Sequence, residues 1–131
     1  MDRDAIEQLY ADYAWAMDAN NFDLLGEVFA EEATFTLEIA GMEDQIGPFE
    51  GRTAIIEFIS GAVTEQTDQR RHVITNVRTE GRDVATAILS LFVTENGELD
   101  VRSTGVYRCG LGEGGGKPQF TSMHLALDRG Y

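Results

Sequence analysis

The sequence predicts an α+β domain in which helices come first and an antiparallel meander follows. Two observations carry this. Apolar residues recur at the helical period through most of the first half of the chain, and the period drops to two from about residue 70. The length of 131 residues and mass of 14.5 kDa then set a single domain, residues 1–131. Hydrophobic residues make up 43% of the chain and charged residues 25%, the balance of an ordinary globular protein with enough apolar surface for a core.

The first helix follows from Ile6, Leu9, Tyr10, Tyr13 and Met17, which fall on one stripe; Asp2 or Asp4 can cap it and Asn20-Asn21 can end it. Phe22, Leu25, Val28 and Phe29 repeat the helical period and predict a second, shorter helix. The run ATFTLEIA (33–40) alternates at Phe35, Leu37 and Ile39 and reads as a strand. Three glycines and Pro48 make 41–51 a loop, the natural lid of a pocket, with Met42, Ile46 and Phe49 on its apolar underside. GRTAIIEFISGAV supplies a third helix. RRHVITNVRTE and VATAILSLFVTE form a hairpin about Gly81-Arg82-Asp83, and Asn96-Gly97 is a two-residue turn into ELDVRSTGVYRC. The glycine-rich 110–118 reads as a mobile hairpin tip before the last strand, QFTSMHLALDR. It is no phosphate loop, because the GxxxxGK[ST] spacing is missing. The expected order is α-α-β-α-β-β-β-β. Strand 84–94 has Val84, Ile88 and Phe92 on one side and Ala85, Ala87, Leu89, Leu91 and Val93 on the other. Helices can cover one face, so the other is expected to pair with a second copy in a homodimer.

The net charge of −13 is unevenly spread. Residues 1–65 hold fifteen acids against Arg3 and Arg52, whereas 66–131 hold eight acids and eight bases. The acidic first half repels a phosphate backbone and the second half has no basic run longer than Arg70-Arg71, so nucleic acid is not an expected partner. The lone Cys109 excludes an intramolecular disulfide and a cysteine-based metal site. The chain opens without a basic leader, and no apolar run nears the ~18 residues of a membrane span, so a soluble, cytoplasmic protein is expected.

Polar residues at positions where the pattern predicts burial are the candidates for chemistry. Strict alternation puts His72, Ile74 and Asn76 on one face of their strand and Arg71, Val73, Thr75 and Val77 on the other, so the His72 face is either solvent or a polar-lined cavity. Tyr10, Ala14 and Asp18 lie along one edge of the first helix's apolar stripe, with Tyr13 near its centre. Asp18 is about 120° from Ile6, at the border of the core. A carboxylate in a helix's last turn is disfavoured by the dipole, which marks Asp18 for function. Trp15 falls opposite the stripe. Asp100 and Arg102 lie two apart on one strand face, which cross-strand ion pairing explains. His72 and His124 lack the neighbours of a closed metal shell, and no cofactor motif is present.

The succession of YADYAWAMDANNFDLLGEVFAEEATF, GRTAIIEFI, RRHVITNVRTEGRDVATA, GVYRC and HLALDR resembles the SnoaL-like group of the NTF2-like superfamily, from about residue 3 to 129. The resemblance implies a curved antiparallel sheet wrapped around the N-terminal helices as a cone, with a pocket at its open end. The superfamily is functionally mixed: dehydratases, isomerases, a dehydrochlorinase, epoxide hydrolases and polyketide cyclases stand beside dioxygenase small subunits and transport factors. The dehydratase and dehydrochlorinase branches resemble this chain most. Their pattern implies His72 as general base, Asp18 as its orienting carboxylate and Tyr13 as a hydrogen-bond donor to substrate oxygen. Tyr10, Asn76 and Phe49 would then line the pocket. Asp100, Arg102 and Asp128 are a weaker set that resembles the Asp-Arg-Asp group of the superfamily's epoxide hydrolases, with the chain order of Asp and Arg reversed. The implied activity is a cofactor-independent lyase or isomerase acting on a hydrophobic cyclic or polyketide-like molecule. The alternatives are a non-catalytic binding or accessory subunit of the same fold, and a polyketide cyclase using Asp18 alone as acid or base.

Overall fold

In the computed structural model, which describes residues 1–130, nine elements follow in order. They are α1 (Arg3–Ala19), α2 (Phe22–Val28), β1 (Phe29–Ile39), β2 (Ile46–Glu50), α3 (Arg52–Val63), β3 (Gln69–Glu80), β4 (Val84–Glu95), β5 (Glu98–Gly114) and β6 (Lys117–Leu127). The Asp2 carboxylate accepts from Ala5 N–H at 2.8 Å and starts α1. Asn20, left-handed at φ 51°, stops it, its N–H turning back to the Ala16 and Met17 carbonyls. Asn21 then caps α2, its side-chain oxygen accepting from Leu24 N–H at 3.1 Å.

The strands form one six-stranded sheet in the order β2-β1-β6-β5-β4-β3. All neighbours run antiparallel except β1 and β6, which are parallel because the meander returns to β1 in β1's own direction. The inner face of the sheet is the core. Ala85, Ala87, Leu89, Leu91 and Val93 of β4 are all buried there, in one core cluster with Tyr10 and Tyr13 of α1 and Ile55 and Ile59 of α3. An aromatic group of Tyr10, Tyr13, Phe29, Tyr107 and Phe120 fills its centre, with ring centroids 5.1–6.3 Å apart.

Four expectations are corrected. First, 41–51 is not a continuous loop. Residues 46–50 are an edge strand on β1, with Phe35 opposite Phe49 and Leu37 opposite Ile46. An edge strand tolerates Pro48, which has no N–H to give. Gly47 is required where a Cβ would meet the Phe35 carbonyl oxygen at 2.8 Å. A segment hydrogen-bonded along β1 is no free lid. Second, the glycine-rich run is mostly strand: β5 continues to Gly114, and only Gly115-Gly116 turn. Third, β1 begins at Phe29, four residues before the expected 33. Fourth, the alternation on β3 is broken by a bulge between Thr75 and Arg78, where Asn76 takes φ 57°. The bulge turns Val77 inward, so it is buried rather than sharing the outer face with Val73.

Candidate active site

The last turn of α1 carries Asp18 to β3, where its carboxylate meets both the backbone and the ring of His72. His72 N–H donates to Oδ1 at 2.9 Å and Oδ2 at 3.1 Å, and Nδ1 lies 2.7 Å from Oδ1. A carboxylate can only accept, so Nδ1 carries the proton and Nε2 keeps the lone pair. The side chains are 11% and 3% exposed respectively, which removes most of the competing water.

Tyr13 stands edge-on to the His72 ring, centroids 6.3 Å apart at 83°. Its hydroxyl is 3.1 Å from that of Tyr107, so two phenols share a hydrogen bond beside the imidazole. Tyr107 did not emerge as a candidate from the sequence. Its signal was the alternation of GVYRC, which puts Tyr107 and Cys109 on the inner face. Burial pushes the Cys109 thiol up to about 12. Burial, and then the adjacent thiol, raise the Tyr10 phenol as well. Both groups are therefore neutral, Tyr10 donating weakly to the Ala85 carbonyl at 3.4 Å.

A cleft of about 350 Å³ opens between α1 and β3. Arg3, Glu7, Tyr10, Ala14 and Trp15 line it from the helix, and His72, Ile74, Asn76 and Val77 from the strand. Trp15, 73% exposed, stands at this cleft. The fold thus brings Asp18, His72, Tyr10, Tyr13 and Asn76 into one region. Phe49 is not among them: it stacks on Phe58, centroids 4.2 Å apart, and near Phe35, on the strand at the other edge of the sheet.

The other candidates do not converge. Asp100 and Arg102 make an exposed ion pair at 3.4 Å, while Asp128 accepts from the Thr104 hydroxyl at 2.6 Å. His124 lies on the outer face between Thr36 and Glu38, at 2.5 Å and 3.2 Å. No group of three metal-ligating side chains occurs among the described residues. Among the same residues, no helix is long and apolar enough to cross a membrane.

A mixed α+β fold with an open curved sheet is the cystatin-like arrangement of the NTF2-like proteins. The SnoaL-like domain family matches residues 1–124, and the chain belongs to it. Solved structures agree on the fold. A protein of Catenulispora acidiphila, solved in complex with S-DNPA, is 21% identical over 94% of this chain and 90% of its own, with a TM-score of 0.79. An NTF2-like protein with a cystatin-like fold from Novosphingobium aromaticivorans is 22% identical over 99% and 84%, with a TM-score of 0.71. A second protein of that organism, described as the β subunit of a proposed aromatic-ring-hydroxylating dioxygenase, is 18% identical over 98% and 90%, with a TM-score of 0.76. The search of curated proteins gives no match.

Proposed function

We propose that this protein is a cytoplasmic, cofactor-independent lyase or isomerase that removes a carbon-bound proton from a hydrophobic cyclic or polyketide-like molecule. The contact between Asp18 Oδ1 and His72 Nδ1 at 2.7 Å carries the reading. His72 Nε2 takes the proton. Asp18 holds the tautomer and stabilises the imidazolium that forms, while Tyr13, edge-on to that ring, is the proposed donor for developing charge on a substrate oxygen. Burial of the pair strengthens each of these interactions. Cyclase chemistry resting on Asp18 alone is less favoured, because both of its oxygens already accept from His72.

The test is solvent exchange. Cyclic β-hydroxy ketones and aromatic polyketide mimics are incubated with the protein in D2O, and deuterium uptake next to the carbonyl, or elimination of water, is followed. Wild type turns over at least one probe, and His72→Ala slows it by about 10²–10⁴-fold, the usual worth of a positioned base. A His72→Ala protein with full turnover removes the assignment.

A second reading is a non-catalytic binding or accessory subunit. It draws support from the relative described as a dioxygenase β subunit, and from the relative that holds a small molecule. Probe binding without exchange at any probe selects it. Under either reading a homodimer through the outer face of the sheet is proposed. That face exposes Val73, Ile88, Val101 and Val106, each 41–52% accessible, and carries the ion pairs Glu80–Arg108 and Glu38–His124. Light scattering at micromolar concentration should give twice 14.5 kDa; a monomer mass refutes it.

A further inference from the structure

Arg70 is 4% exposed in its side chain, a burial that arginine tolerates only with partners. It lies on the inner face of β3, two residues before His72, so the alternation that marked His72 marks it too. Its Nη2 donates to Asn20 Oδ1 at 2.6 Å, and its Nε sits 3.5 Å from Asp68 Oδ1 in an ion pair without a hydrogen bond. Beside it, Gln69 Nε2 donates to the Asp18 carbonyl at 3.2 Å. Residues 69, 70 and 72 of β3 therefore grip Asp18 of α1 and its cap Asn20 at three points. The last turn of α1 contains no basic residue of its own and does contain Asp18, the wrong charge for a helix C-terminus. The guanidinium supplies the missing cation from the neighbouring strand.

We propose that Arg70 is a positioning residue for the pair of His72 and Asp18: through Asn20 it fixes the end of α1 at the depth where the Asp18 carboxylate meets Nδ1. The proposal rests on that pair being the functional centre. A planar fork held by Asn20 and Asp68 sets direction as well as distance, which a flexible ammonium does not. Released from it, the last turn frays toward solvent, Asp18 withdraws, and the imidazole no longer has a reason to keep its proton on Nδ1.

The ring tautomer of His72, read from nitrogen-15 spectra of the full-length chain at neutral pH, tests this without a substrate. Arg70→Met is the direct variant, but it leaves Asp68 buried and unpaired and can cost the fold. Asn20→Gly is the second. Glycine adopts the left-handed cap freely, so only the oxygen held by Arg70 is lost. The expected result is loss of the dominant Nδ1–H form in Asn20→Gly, with a several-fold change in tautomer ratio. Asn20→Asp, which keeps the acceptor, retains the wild-type ratio. His124, on the outer face, serves as the internal control and stays unchanged. A folded Asn20→Gly protein with the wild-type His72 ratio overturns the proposal, as does a change that His124 shares. Asp18→Ala separates the two levels. If it too leaves the His72 ratio unchanged, the pair itself has failed, whereas a shift in Asp18→Ala alone means that only the Arg70 clamp has failed.

Discussion

Asp18→Ala removes one acceptor that serves two donors of a buried histidine. In the wild type, His72 N–H and Nδ1–H both end on this carboxylate, at 2.9 Å and 2.7 Å. In the variant the backbone N–H has nowhere to turn, and a buried unsatisfied donor costs about 1–3 kcal/mol. The ring escapes more cheaply, because it can move its proton to Nε2, so only the net worth of one charge-assisted bond is lost, about 1–2 kcal/mol. The sum is roughly 2–5 kcal/mol, at most about the lower end of the ~5–15 kcal/mol stability of a typical domain, so a weakened but folded variant is expected. Asp18→Asn keeps an oxygen at the Oδ1 position, which accepts from both donors, but sets an NH2 where Oδ2 accepted from the His72 N–H at 3.1 Å, and should lose about 1–2 kcal/mol of stability. It removes the charge that stabilises imidazolium, however, and so should lose most of any exchange activity. Urea unfolding with unchanged m-values measures both differences. If Asp18→Ala is as stable as wild type within ~0.5 kcal/mol, His72 is not held in the way described.

Three further outcomes follow from named positions. Gly105 of β5 leaves only 2.6 Å between a notional Cβ and the Ala126 carbonyl oxygen, so Gly105→Ala should cost about 1–3 kcal/mol in urea unfolding. A neutral result would mean that β5 and β6 are not that close. At Asn76, where φ is 57°, replacement by Gly should be neutral within ~0.5 kcal/mol. Asn76→Val should cost about 1–2 kcal/mol, which checks the bulge. Cys109, raised from 9.0 to about 12, should react with iodoacetamide at pH 8 roughly 10³-fold more slowly in the native protein than in urea. The same shift has a sign for stability. The unfolded thiol loses its proton above 9.0 while the folded one keeps it, so this contribution is whole below that pH and declines by about 1.4 kcal/mol per unit toward 12. A flat stability between pH 9 and 11 would contradict it.

Much of the fold was legible because burial imposes a period. The stripe of α1, the inner face of β4 and the Asn96-Gly97 turn all read directly from residue spacing. The misreadings occur where local signals give the wrong answer. Gly47 and Pro48 are turn residues by propensity, yet the edge of a sheet accepts them as a strand, and Phe49 then joins the aromatic stack of Phe35 and Phe58 instead of a lid. Gly110 and Gly112 suggested a flexible tip. In the sheet, the cross-strand side chains Thr121 and Ser122 occupy the room that β-carbons there would need. The bulge at Asn76 is invisible to strict alternation, because one extra residue exchanges the faces of everything after it.

At the site, the sequence determined which residues were unusual: an acid in the last turn of an amphipathic helix, and a histidine on a strand face where alternation left the environment open. Both facts depend on near neighbours and on period alone. That these two residues touch was decided by the tertiary structure, since 54 positions separate them and only the packing of α1 across β3 sets their separation. The same holds for the phenol pair of Tyr13 and Tyr107, 94 residues apart, and for Arg70 beneath the end of α1. Hydrogen bonds reach about 3 Å and are directional, whereas hydrophobic periodicity specifies only a face. The face was therefore written in the sequence, and the contact had to await the fold.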